Sequence, residues 1–411
     1  MEFFKVLSIE EALASFFAHF QPGAPRIERV SLFDAPGRIL AGEIRAGGPI
    51  PGFDRASMDG YAVRAADTYG ASEGLPALME LAQEIRMGEA AVEPLLPGRA
   101  APIATGGMLP PGADAVVMIE YTEVMDGSSI AVYSPVAPGE NVVEAGEDVK
   151  ENELLLPAGH RLRPQDVGAL AGLGYGEVPV AVRPRVGIVA TGNEVVPPAE
   201  DVPPGMIRDM NTYSLSAMVR ADGGIPVSYG IVKDERGPLQ EAIARAYAES
   251  DVLITSGGTS VGARDLCQEV LDGLGRPGVL VHGVSIKPGK PTIIGVAGDK
   301  PVFGLSGNPV SAMIGYQLFV HPALKAMLGA LPVRVPAVVR ARLSRNLASA
   351  SGRTDFIRVT LRREGGELVC EPILGKAALL STMVRADGLL CVSLQKEGLR
   401  EGEIVEVTLF Q

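Results

Sequence analysis

The chain has 411 residues, 46% of them hydrophobic, with a mean hydropathy of +0.20. That is enough for about two to four folded domains and too apolar for disorder. A formal net charge of −12 excludes a general nucleic-acid binder, which needs a basic surface, but it is compatible with a local basic pocket for a small anion.

Ser8-Ile-Glu-Glu11 is a capping box, and Ile9, Leu13, Phe16, Phe17 and Phe20 follow at helical spacing. The segment is not a signal peptide but an amphipathic helix. Packing on its own domain is favoured, and packing on a second subunit is the alternative. From there to about residue 178 the chain is rich in turns, in keeping with 50 glycines and 32 prolines overall. Short apolar runs such as residues 115–119 (AVVMI) predict small β units. Residues 172–176 (GLGYG) lack the GxGxxG spacing and read as a loop.

From Arg185 strands and helices alternate. Residues 186–190 predict a buried strand ending in TGNE (191–194). A helix follows over 211–221, and then a strand running to Asp234. A helix over 236–249 precedes a strand over 251–255 that enters SGGTS (256–260). The next helix covers about 264–273. This alternation implies a parallel α/β sheet, with ligands expected beyond the carboxyl ends of its strands. Residues 302–324 contain no Asp, Glu, Lys or Arg. The SGNP (306–309) and His321-Pro322 breaks leave a helix of about eleven residues, short of the roughly 20 a membrane span needs. Beyond Leu331, strand patterns at 333–343, 355–362 and 403–409 predict a small all-β domain.

Two strand-to-helix junctions could receive an anion on backbone N–H groups. One carries Ser256, Gly257, Gly258 and Ser260; the other carries Gly307 and Asn308 ahead of Ser311. Glu194, Asp234 and Asp265 fall at or just beyond strand ends, and one or two carboxylates with water and phosphate suit Mg²⁺. IKPGKPT (286–292) places Lys287 and Lys290 in a proline-stiffened turn. Pro291 stands where a P-loop needs Ser or Thr. Such lysines suit a compact oxyanion, although this segment alone reads better as a solvated basic turn. Cys267, Cys370 and Cys391 are odd in number and far apart, which argues for a reducing cytoplasm and against a disulfide framework. His19, His160, His282 and His321 are scattered and suggest no metal site.

In order along the chain come SMDGYAV (57–63), IATGGMLPPGADAVVMIE (103–120), GENVVEAGED (139–148), TSGGTSVGARD (255–265), IKPGKP (286–291) and GLSGNPVSA (304–312). The ordered set closely resembles the MoeA family of molybdopterin molybdenumtransferases, which includes the gephyrin E domain. The resemblance covers essentially the whole chain. It implies a homodimer of elongated four-domain subunits, with boundaries expected at 1–54 with 147–178, 55–146, 179–328 and 329–411. Two small N-terminal mixed or β domains would precede a parallel-sheet molybdopterin-binding α/β domain and a C-terminal β domain.

The family reaction takes adenylyl-molybdopterin and molybdate, inserts the metal into the pterin dithiolene and releases AMP, with a divalent cation such as Mg²⁺. Tungstate, a tetrahedral dianion of similar size, is an alternative substrate. By this resemblance Glu194, Asp234 and Asp265 support the metal or the phosphates. Lys287, Lys290, Ser311, Arg353 and Ser381 hold the oxyanion. Asp59 and Thr105 reach the site from the partner subunit. The molybdopterin adenylyltransferase acting one step earlier is a candidate partner, and its reaction is also the nearest alternative function. A non-catalytic scaffold is the third reading. Asn193, Ala263 and Ser306 depart from the usual Asp, Glu and Pro of the family, and the first two remove carboxylates near the metal.

Overall fold

The computed structural model describes residues 6–258, 266–332 and 337–410. Its first helix, α1 (Ile9–His19), begins at a complete capping box. Glu11 N donates to Ser8 Oγ at 3.1 Å, and Ser8 N donates to Glu11 Oε2 at 2.8 Å. Its stripe of Ala12, Phe16 and Phe20 packs within its own chain on the central α/β unit, where the Phe16 ring lies 5.6 Å from that of Phe303. The helix therefore sides with the central sheet, although the expected partition puts residues 1–54 with 147–178.

An N-terminal unit forms where the chain returns. Ile27–Ser31 pairs antiparallel with Glu177–Ala181, and Ile44–Arg45 with Leu154–Leu156. Leu40, Ile44, Leu156, Leu170 and Val178 form its core beneath helix α2 (Pro164–Gly172). Asp166 ties down the start of α2. It accepts from Arg163 N at 2.8 Å and from Arg163 Nη2 at 2.9 Å, and His160 Nε2 lies 2.7 Å away.

Burial pushes the Asp166 carboxyl up, but the Arg163 and His160 hydrogen bonds outweigh it and hold it at about 2, against an ordinary 3.8. A depressed carboxylate stabilises the fold fully above its unfolded value and loses that contribution as pH falls towards the folded one. Because Arg163 is more than half exposed, screening leaves a contribution of about 1 kcal/mol. Asp166→Asn is therefore expected to lower thermal stability at pH 7, with the gap to the parent closing between about pH 4 and pH 2. An equal gap at pH 7 and pH 2 in thermal melts would contradict this.

Between the two halves of that unit a β domain is inserted. Arg55–Ala56 pairs with Val142–Val143 at its base. Its six strands lie in the order Ala115–Met118, Gly60–Val63, Arg99–Ile103, Ala77–Leu81, Ser129–Val132, Thr122–Val124.

The central sheet has the spatial order Ile225–Val232, Arg185–Thr191, Val252–Ser256, Lys300–Leu305, Ile293–Ala297, Pro277–His282. Its strands are apolar on both faces because both faces are covered. Val186, Ile188, Ile254, Phe303 and Leu305 meet α1, α3 (Asn211–Ala221) and the helical run that begins with α6 (Pro309–Gly315). Val189, Leu253 and Val302 meet α4 (Arg236–Glu249) and α5 (Leu266–Asp272) on the other side.

Two expectations need correction. The sheet is mixed: its first four strands are mutually parallel, but Ile293–Ala297 runs antiparallel to both neighbours. It leads directly into Lys300–Leu305 through a tight turn at 298–299, a connection only antiparallel strands allow. The apolar helix also does not stop at His321-Pro322. After α6 it widens into a π turn over Tyr316–Val320, where His321 N donates to Tyr316 O, and continues through His321–Met327. Pro322 follows directly on that π turn, whose widened register accommodates its missing N–H. Even so, no helix among the described residues is long and apolar enough to cross a membrane.

The C-terminal strands close into a barrel. Thr354–Glu364, Glu367–Ile373, Val338–Leu343, Ile404–Leu409 and Gly388–Val392 pair in sequence, and the last pairs back onto the first. Ile286–Lys287, from the lysine-bearing turn, adds to this barrel by pairing parallel with Thr354–Asp355.

Candidate active site

A cavity of about 890 Å³ opens where the four parallel strands end. Thr191, Ser256, Gly257 and Gly258 form its floor, and Glu194 and Asp234 line it from the loops after the first two strands. The turn after Leu305 contributes Ser306, Gly307 and Asn308. The floor is shaped by glycine: Gly257 has φ +106° and Gly258 φ +64°, and a Cβ on Gly257 would stand 2.3 Å from Thr191 O. Only glycine lets the two strand ends approach this closely.

Asn211, at the start of α3, binds the floor together. Its Nδ2 donates to Ser256 Oγ at 2.7 Å and to Gly307 O at 2.9 Å. Asn211 Oδ1 and Thr191 Oγ1 are buried without a hydrogen-bond partner among the described residues. Unpaired buried polar atoms beside a cavity mark a place where a polar ligand or ordered water completes the hydrogen bonding.

The second junction is less receptive than its sequence suggests. Asn308 N already donates to Ser306 Oγ at 3.2 Å, Pro309 has no N–H, and Val310 N donates to Ala377 O at 3.2 Å. These two donors serve the turn and the dock of the C-terminal domain, while Gly307 and Asn308 line the cavity.

Glu194 and Asp234 are both exposed, and the Glu194 carboxylate folds back over Gly192, where an added Cβ would meet its Oε2 at 2.9 Å. Asp234 N donates to Asn193 Oδ1 at 3.2 Å, which joins the two loops. No group of three His, Cys, Asp or Glu side chains that could cage a metal occurs among the described residues. Mg²⁺ needs less: one or two carboxylates completed by water and phosphate oxygens. The two carboxylates on this cavity fit that donor set. Asp265, expected as the third, and Ser260 lie outside the described residues.

The residues expected around an oxyanion fall elsewhere. Lys287, Lys290, Ser311, Arg353 and Ser381 do not line the cavity. Four of them follow the seam between the α/β unit and the barrel. Lys287 Nζ lies 3.8 Å from Asp355 Oδ2, and Arg353 Nε donates to Asp355 Oδ1 at 2.8 Å. Ser311 is buried on α6, whose Val310 and Ile314 pack with Met383 and Leu389 beside Ser381. Lys290 is exposed, one residue before the cavity-lining Pro291. The turn from Lys287 to Pro291 thus links seam and cavity.

Asp59 and Thr105 lie in the inserted domain, and no residue of that domain lines the cavity. They bond to one another. Thr105 N and Oγ1 donate to Asp59 Oδ1 at 2.7 and 2.8 Å, and these bonds hold the Asp59 carboxyl below its usual range.

Sequence reasoning missed Asn211 and Asp355. Asn211 is the first residue of the expected helix 211–221, where a polar residue reads as part of an ordinary helix start. Asp355 follows Arg353 in GRTDF (352–356), where a carboxylate beside an arginine reads as an ordinary local ion pair.

A multi-unit chain with an α/β ligand cavity at its strand ends is defined by this geometry, and comparison specifies which. Family models match as the MoeA N-terminal region (domain I and II) over residues 7–174, the "probable molybdopterin binding domain" over 187–326 and the MoeA C-terminal region (domain IV) over 340–410. The chain is 34% identical over 410 residues to the molybdopterin molybdenumtransferase of Bacillus subtilis, covering 98% of this chain and 94% of that one. It is 35% identical over 333 residues to the enzyme of the same name from Nostoc, covering 80% and 76%. The crystal structure of a molybdopterin biosynthesis MoeA protein from Pyrococcus horikoshii OT3 superposes with a TM-score of 0.84 at 35% identity, covering 99% of this chain and all of that one. The chain belongs to the MoeA family of molybdopterin molybdenumtransferases.

Proposed function

We propose that this chain inserts molybdate into the dithiolene of adenylyl-molybdopterin and releases AMP, a transferase step of molybdenum cofactor biosynthesis in the cytoplasm. The observation that carries the reading is the division of the site: a glycine-floored cavity beside two exposed carboxylates, adjoining a separate cationic seam. A phosphoanhydride and a free oxyanion need two such places. The cavity takes the pterin and the adenylyl phosphates. Thr191, Ser256 and Asn211 supply polar contacts on its floor, and the glycines admit the ligand to backbone. Lys287, Lys290 and Arg353, with Ser311 and Ser381, hold molybdate or tungstate.

Glu194 and Asp234, with Asp265, would hold Mg²⁺, which when bound neutralises charge on the departing AMP phosphate. The chain's own share is to orient the phosphates, hold the oxyanion next to the sulfurs and exclude stray water. Family matches over 7–174 and 340–410 weigh against the adenylyltransferase reading, which uses only an α/β domain of this kind. A crystal soaked with molybdate and AMP tests the division. The reading expects molybdate density at the seam and AMP in the cavity, and both in one place would overturn it.

We also infer that the site is composite, with Asp59 and Thr105 of a second copy facing the cavity. Their mutual hydrogen bonds fix a carboxylate on an exposed face, away from the cavity of their own subunit. Refolding a mixture of Asp59→Asn and Glu194→Gln chains is expected to restore about a quarter of the parent activity. About half of random dimers are mixed, and each of those keeps one intact site of two. Activity no greater than the average of the two separate variants would place each site within one subunit.

A further inference from the structure

The buried carboxylate of Asp355 has no role in the reading above. Its side chain is only 5% exposed, while the two cations it touches, Lys287 and Arg353, are 58% and 38% exposed. Its two oxygens are divided between them: Oδ1 accepts from Arg353 Nε at 2.8 Å, and Oδ2 faces Lys287 Nζ at 3.8 Å. Backbone pairing fixes this arrangement. Ile286–Lys287 runs parallel to Thr354–Asp355, and Thr354 N donates to Ser285 O at 2.8 Å. One barrel strand therefore delivers Arg353 and Asp355 to the lysine turn of another domain.

We propose that Asp355 is the positioning residue of the oxyanion site, setting the place of Arg353 and Lys287 for a tetrahedral dianion. By engaging Nε, the carboxylate leaves both terminal nitrogens of the Arg353 fork for the ligand. By sharing its second oxygen with Lys287, it ties together two long side chains that would otherwise sample many rotamers. A carboxylate near an anion site also repels the anion, so the two effects oppose each other. Lys287 and Arg353 are open to water, which screens the repulsion, whereas the part-buried bond from Arg353 Nε to Asp355 is made at 2.8 Å to a carboxylate only 5% exposed and is screened less. Positioning therefore outweighs repulsion, and removing the charge weakens binding.

This inference rests on the oxyanion role given to Lys287 and Arg353, so the test separates the two. Molybdate alone is titrated into full-length protein by calorimetry, and molybdate half-saturation is measured in turnover. Lys287→Ala and Arg353→Ala are each expected to weaken molybdate at least tenfold. Asp355→Asn, which still accepts from Nε, is expected to weaken it about threefold, and Asp355→Ala about tenfold. Half-saturation by adenylyl-molybdopterin should stay unchanged, which a general loss of structure would not allow. In a Lys287→Ala, Arg353→Ala background, Asp355→Asn should change nothing further. Should Asp355→Ala fail to fold, Asp355→Asn in the two backgrounds still decides. Weakening by the cation variants with unchanged or tighter molybdate in Asp355→Asn overturns the positioning role alone. Unchanged molybdate in the cation variants overturns the oxyanion reading and this inference with it.

Discussion

Glu194→Gln and Asp234→Asn are each expected to lower the rate of AMP release by about 10²-fold, and the pair by 10³-fold or more. Both side chains are exposed, so neutralising them removes no buried partner and leaves stability within about 0.5 kcal/mol of the parent. The loss would thus be one of chemistry. Raising Mg²⁺ should partly recover either single variant, because one remaining carboxylate with water and phosphate still makes a weak site. The joint effect should fall short of the product of the two, since both act on one ion. Single-turnover release of AMP checks this, and full-rate release by the double variant would reduce both residues to surface charges.

Gly257→Ala is the second large effect, and it requires no assumption about the ligand. At φ +106° an alanine is strained, and its Cβ would lie 2.3 Å from Thr191 O, a backbone atom that cannot swing away. The strand ends must separate, at an expected cost of about 3 kcal/mol or more, with loss of the cavity floor. Gly205 provides the control. It has φ +90° but no atom within 4 Å of an added Cβ, so Gly205→Ala should cost about 1 kcal/mol from backbone conformation alone. Denaturant unfolding distinguishes the two, and equal midpoints would show that the close approach is not what requires glycine at 257.

Much of this was readable in the sequence because the relevant signals are local. The capping box of α1, the helices at 211–221 and 236–249 and the buried strands of the sheet all announce themselves within a few residues. So did the carboxylates at strand ends, since topology puts every such end on one edge. Three features were not local. The antiparallel pairing of Ile293–Ala297 depends on the tight turn at 298–299, not on any difference in strand composition. The π turn let the helix pass Pro322, which periodicity alone reads as a stop. The pairing of Ile286–Lys287 with the barrel brings Asp355 to Lys287 from a different domain. The same non-locality explains IKPGKPT. Alone it is a basic turn; in the fold one of its lysines faces a buried carboxylate and its second proline borders the cavity.

The central claim is that one protein couples oxyanion insertion to AMP release. The most direct measurement is AMP released by purified protein from adenylyl-molybdopterin with Mg²⁺, as molybdate is titrated in. The account predicts release that saturates with molybdate and matches Mo-molybdopterin formed one for one. AMP release that ignores molybdate, or formation of adenylyl-molybdopterin from ATP and molybdopterin instead, would contradict it.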